Sequence, residues 1–132
     1  MSQLEIETYA RSLYGRIGEA RVLRRVEIDA ENWEAQPNMC HHNASALHLQ
    51  DARYTPVRGW LYFDLPGLGY VKFVSHSAVR TPDGEIVDIT PKPSAATQDY
   101  PFLEGNLSEG EYQYLVEECG HGEINLPVNN NA

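Results

Sequence analysis

Residues 70–90 read "YVKFVSHSAVRTPDGEIVDIT", and the fold turns on the joint "TPDG" inside them. "YVKFVSHSAVR" is rich in Val and Phe and reads as a strand. "EIVDIT" reads as the next one. Between them, Pro82 suits the first central position of a type I turn and Asp83 the second. Gly84 then suits the left-handed position of a G1 bulge. That loop sets Thr81 opposite Glu85, Ala78 opposite Asp88 and His76 opposite Thr90. Side chains alternate faces along a strand, so His76 and Asp88 share a face as diagonal neighbours. A one-residue change in the turn would put them on opposite faces.

Upstream of this hairpin, "RGWLYFDL" reads as another strand, ended by the turn "PGLG". From Cys40 to about Gln50 the pattern is helical. Cys40, Ala44 and Leu47 lie on one side, and Ala, Leu and Gln favour a helix. "ENWEAQPNM" before it is a loop, with Pro37 holding Gln36 extended. "EARVLRRVEIDA" fits a strand over 22–28 or an extension of the first helix, and the valines with Ile28 favour the strand. The first helix starts with Ser2 as cap and Glu5 as its capping-box partner. It carries the apolar stripe Ile6, Tyr9, Leu13 and Ile17 and frays near Gly15 and Gly18. Downstream, "PKPSAATQDYP" is a long loop. Ser108 with Glu111 opens a last helix through about Glu118, and "CGHG" ends it. "NLPVNNNA" reads as loose, with about 127–132 set apart as a C-terminal tail. The order is helix, helix, antiparallel strands, helix, which is an α+β layout in one domain over 1–132.

With 132 residues the chain is long enough for one modest core. Lys and Arg number 10 against 19 Asp and Glu, a formal charge of −9. Nucleic acid and anionic membrane need a basic footprint, so both are disfavoured as partners. No apolar run is long enough to span a bilayer. The first residues carry charges throughout and lack the apolar core of a signal peptide. The expectation is a cytoplasmic protein with free thiols, in which the sequons at Asn43 and Asn106 carry no meaning.

Asp88 beside His76 is what a general base needs, because the carboxylate fixes the imidazole's tautomer and stabilises its protonated form. Cys40 stands at the start of a helix, where partial positive charge stabilises a thiolate. The chain thus offers Cys, His and Asp in that order, a nucleophile on a helix and its partners on successive strands. The run "FVSHSAVRTPDGEIVDITP" with the upstream Cys resembles the catalytic region of the transglutaminase-like, papain-fold superfamily. It is also similar to small bacterial proteins with a C-H-x-N run, a G-W strand and an H-x-V…D-G…D-x-T-P hairpin. The match covers roughly residues 37–91. It implies a nucleophile-bearing helix packed on a small antiparallel sheet, with Cys40 as nucleophile, His76 as base and Asp88 as orienter.

The reaction expected is cysteine-dependent acyl transfer on an amide, ester or thioester of a protein, peptide or small acyl substrate, without a cofactor. Water as acceptor gives a peptidase, amidase or deamidase; an amine gives a transglutaminase-like transferase. On a helix, His41 and His42 are rotated about 100° and 200° from Cys40, so neither is well placed as its base. Asn43 can hold substrate, donate to an oxyanion or brace the helix start. Gln36, Asn38 and the Cys40 N–H are further oxyanion donors. Trp60 is more often core, although its place before a cleft strand can line a pocket.

Two rivals belong to other classes. Cys40, His41 or His42, Cys119 and His121 make up a zinc-binding structural set, weakened by the lack of Cys-x-x-Cys spacing. The other rival is an inactive papain-like binding protein that keeps the fold without turnover. The sequence leaves substrate and oligomeric state open.

Overall fold

Strand β2 (Tyr70–Arg80) is the axis of the protein, and every layer is built against one of its two faces. The computed structural model describes residues 3–30, 33–65, 67–92, 98–120 and 122–128. Helix α1 (Gln3–Gly15) and a 3₁₀ turn (Ile17–Glu19) come first, then an extended segment, α2 (Cys40–Gln50), β1 (Thr55–Leu65) and β2. They are followed by β3 (Ile86–Val87), β4 (Phe102–Glu104), α3 (Glu109–Glu118) and β5 (Glu123–Pro127). The sheet is antiparallel, in the order β3-β2-β1-β4, and β5 joins the same edge of β2 as β3. The result is a small α+β domain. Among the described residues no helix is long and apolar enough to cross a membrane.

The period-2 alternation of β2 divides the core. Val71 and Phe73 pack with Trp60 of β1 against Ala10 and Leu13 of α1 and Tyr112 and Leu115 of α3. Val79, on that same face, meets Ala44 and Leu47 of α2. Ala78, on the opposite face, packs with Ile86 and Phe102, and Leu23, Val57 and Leu61 lie against them. The α1 stripe expected from the sequence points inward as read; its proposed cap, Ser2, lies outside the described residues.

The joint at Thr81 has the expected form. Thr81 and Glu85 close the loop, Gly84 takes φ 95°, and Val79 faces Val87. Pairing stops after two residues, however, so the expected strand over 85–90 is cut short at Val87. Its continuation bonds to a different partner. The Asp88 N–H donates to Arg24 O, and the Asp88 carbonyl accepts from Val26 N–H, each at 2.9 Å. Farther up the same segment, Arg21 exchanges two backbone bonds with Phe102 on β4. The stretch expected as a strand over 22–28 is therefore an extended strap, bridging Phe102 on one edge of the sheet and Asp88 beyond the other. It runs antiparallel to one and parallel to the other, so it builds no continuous ladder.

Two further strands depart from the sequence reading. Residues 125–127, read as loose, complete a strand, β5. Ile124 and Leu126 alternate inward while β5 pairs with the Tyr70–Val74 half of β2. β4 lies just after the loop that ends at Pro101, in a stretch for which the sequence offered no element, and its three residues pair with Gly59, Trp60 and Leu61. Gly59 is required there, because a Cβ would collide with the Leu103 carbonyl and press on the Phe102 ring. That ring stands edge-on to His76, at 6.1 Å between centroids.

Candidate active site

On the outer edge of β2, β5 pairs as far as Val74 and β3 begins at Val79. His76 lies in this gap, and three elements converge on it. Asp88 comes from the residue after β3, Cys40 from the first residue of α2, and Phe102 from β4. His76 Nε2 and Asp88 Oδ2 are 2.9 Å apart, and both residues are buried. The Cys40 thiol neighbours the imidazole closely enough for each to shift the other's proton affinity. With Nε2 committed to Asp88, Nδ1 is the ring nitrogen left for sulfur.

Asp88 has its acceptor capacity taken up from three directions. Oδ1 accepts from the Thr90 N–H at 3.0 Å, and Oδ2 accepts from His76 and, at 3.3 Å, from Arg25 on the strap. Burial pushes this carboxyl up, but the His76 bond and charge, Thr90 and Arg25 outweigh it and hold it below the usual carboxylate range. Burial pushes the His76 imidazole down, while bonds to Asp88 and Cys40 more than offset that and hold it up at about 9. Burial pushes the Cys40 thiol up as well. Hydrogen bonds from His41 and His76, with their charge, win and bring it down to about 5. Both shifts run in the direction that favours a thiolate beside an imidazolium.

The start of α2 adds to this. Its cap position is Met39, which has no oxygen on its side chain, and no side chain caps the helix. No acidic residue stands in the first turn. The N–H groups there face the thiol region without a side-chain acceptor, and the positive pole of the helix acts on sulfur. Asn38, at φ 62°, lines the same cavity as Cys40 and His76, and its amide makes no hydrogen bond to another described residue.

Several residues singled out in the sequence fall elsewhere. Asn43 is fully buried and braces the helix start. Its Nδ2 donates to Gln36 O at 2.8 Å and to Thr90 Oγ1 at 2.9 Å, and its Oδ1 accepts from the Gln36 N–H. With both hydrogens used, it has none for an oxyanion. Gln36 turns its amide out to Glu34 O, away from the thiol. Trp60 is 0% exposed and donates to Tyr9 Oη within the main core, so it lines no pocket. Cys119 packs against that same core, and His42 is exposed on α2. His121 lies outside the described residues. Among the described residues no three His, Cys, Asp or Glu side chains gather as a metal site.

His41 is held by the sheet. Its ring lies between α2 and β2, with Nδ1 2.5 Å from Ser77 Oγ and Nε2 3.3 Å from Ser75 Oγ, so both ring nitrogens are engaged by serines. It still acts on the thiol, as one of the groups that bring Cys40 down. Arg58 fixes the arrangement from below by donating to Ser77 Oγ, the His41 carbonyl, Ser45 Oγ and the Glu109 carboxylate. Neither Arg58 nor Arg25 carried a signal in the sequence, because each acts across elements. Thr90 did, as the third residue of "DIT". No family model, no curated protein and no solved structure matches this chain.

Proposed function

We propose that the protein is a cysteine-dependent acyl-transfer enzyme with a papain/transglutaminase-like arrangement of nucleophile helix and sheet. The supporting observation is the line from Asp88 through His76 to Cys40 at the uncapped start of α2. The Cys40 thiolate attacks a carbonyl carbon and a C–S bond forms. Charge develops on the carbonyl oxygen beside the Cys40 N–H and the Asn38 amide, which serve as its donors. His76 gives its proton to the leaving nitrogen, oxygen or sulfur as that bond breaks. His76, now neutral, takes a proton from the incoming acceptor, and the thioester is cleaved. Water as acceptor gives a hydrolase and an amine gives a transferase. Asp88 keeps the ring oriented and its positive charge compensated throughout. A resting thiolate suits a reducing compartment, in keeping with a cytoplasmic site of action.

The test is alkylation by iodoacetamide across pH, mapped by mass spectrometry. Cys40 should react well below pH 8, and His76→Ala should remove most of that advantage. An inactive protein that only binds ligands would show Cys40 and Cys119 reacting alike, and an unaltered Cys40 rate in His76→Ala would end the catalytic reading.

A further inference from the structure

The cavity that starts at Cys40 continues along the His76 face of the sheet, under the strap, with a volume of about 380 Å³. Its inner wall is aliphatic and aromatic: Leu23 from the strap, Leu61 from β1, Val74 from β2 and Phe102 from β4. We infer that this cavity is an acyl-chain pocket, so that the group Cys40 transfers is a linear aliphatic acyl chain carried as an ester or thioester. The inference rests on Cys40 being the acyl-accepting nucleophile.

Three observations select that occupant. The wall comes from the same face as His76, so a chain leaving the attacked carbonyl enters it directly. The charged groups on the rim are engaged with one another. Arg25 binds Asp88, Asp99 and the Thr90 carbonyl, and Lys92 binds Asp99 at 3.2 Å. Asn38, Ser75, Gln98 and Tyr100 supply polar atoms elsewhere in the lining, but Leu23, Leu61, Val74 and Phe102 carry no side-chain donor or acceptor. The N–H and C=O groups of a peptide pressed on that wall would find no side-chain partner there, which is costly. An alkyl chain brings none. The volume also falls at the small-molecule end of ligand sites, too small for an extended polypeptide.

The experiment uses the p-nitrophenyl esters of acetate, butyrate, hexanoate and octanoate. The Cys40 sulfur attacks the ester carbonyl, the C–S bond forms, the aryl C–O bond breaks and p-nitrophenolate departs. Its release gives the acylation rate, and the mass of acyl-Cys40 identifies the residue. Cys40→Ala supplies the background. Each added methylene should raise the rate about fourfold, on the order of a hundredfold or more from acetate to hexanoate. Val74→Phe narrows the pocket and should collapse the hexanoate-to-acetate ratio. Leu23→Ala lengthens it and should shift the preference to octanoate. Cys40 acylated at rates that are flat or falling with chain length would overturn the pocket and leave the thiol chemistry standing. No acylation of Cys40 by any ester, together with an ordinary alkylation rate, would overturn the proposed function and the pocket with it.

Discussion

The helices α2 and α3 have nearly the same length, 11 and 10 residues, and begin in opposite ways. α3 has a complete capping box, in which Ser108 accepts from the Glu111 N–H and Glu111 accepts from the Ser108 N–H, with Glu109 and Glu111 in its first turn. α2 has Met39 at that place, no acid in its first turn and two histidines following the thiol. The cysteines sharpen the contrast, since Cys40 is the first residue of α2 and Cys119 is the C-cap of α3. A thiolate is favoured at the positive pole of a helix and disfavoured at the negative one. Burial and then Glu118 push Cys119 up, whereas Cys40 is held at about 5. The helix that only supports the fold is capped for stability. The helix that begins with Cys40 leaves its pole to the sulfur.

The comparison breaks most decisively at the thiol and its base. Cys40→Ala should abolish turnover, His76→Ala should come close, and the double variant should be little worse than either, because the two act as one unit. Turnover should follow a bell between about 5 and about 9, since sulfur must have lost its proton and His76 must still hold one. At pH 6 the wild-type Cys40 should alkylate on the order of ten times faster than an ordinary thiol. Its thiolate fraction is several hundredfold larger, and its lower intrinsic nucleophilicity takes back most of that gain. His76→Ala should slow that rate several-fold, toward the Cys119 level, with His41 and the helix pole keeping it somewhat above.

Asp88→Asn has a smaller effect. It keeps size and hydrogen bonding while removing the charge opposite the imidazolium. Turnover should settle between wild type and His76→Ala, with the upper limb of the pH profile moved down. A fully active Asn variant would reduce Asp88 to a strand-end anchor. Met39→Asp then makes α2 resemble α3 by placing an acid at its cap. Cys40 labelling at pH 6 should slow by several-fold while thermal stability rises or holds. Ser108→Ala makes the opposite change in α3. It should cost about 1 kcal/mol and a few degrees of melting temperature, with Cys40 labelling unmoved.

The parts legible in the sequence are those written in short stretches. "TPDG" carries the register that sets His76 against Asp88, Ser108 and Glu111 mark the start of α3, and Cys40 opens α2 where the pattern changes. The parts that were not legible are held by distant partners. β5 had its alternation in Ile124 and Leu126, but the flanking Asn and Pro read as loop, and its pairing with β2 has no local sign. The strap looked like a strand because it is extended, yet its bonds go to Phe102 and Asp88. His41 was set aside by helical rotation alone, and the serines of β2 that hold its ring had no local sign. Asn43 kept three readings open until Thr90 and Gln36 were seen to take its hydrogens.

The strap also sets the order in which the protein can become reactive. Residues 20–26 leave the ribosome early, but their backbone partners at Asp88 and Phe102 are made much later, as is β5, which pairs beside His76. A nascent chain that has completed α2 holds Cys40 without Asp88 in place. Its thiol then lacks the His76–Asp88 pair that acts on it in the fold. Asn43 ties the loop before Cys40 to Thr90, two residues from Asp88, so the seating of Cys40 and the placement of the carboxylate share one set of bonds. Under the proposed function, thiol reactivity would then serve as a readout of whether the strap and the Asp88 segment have docked.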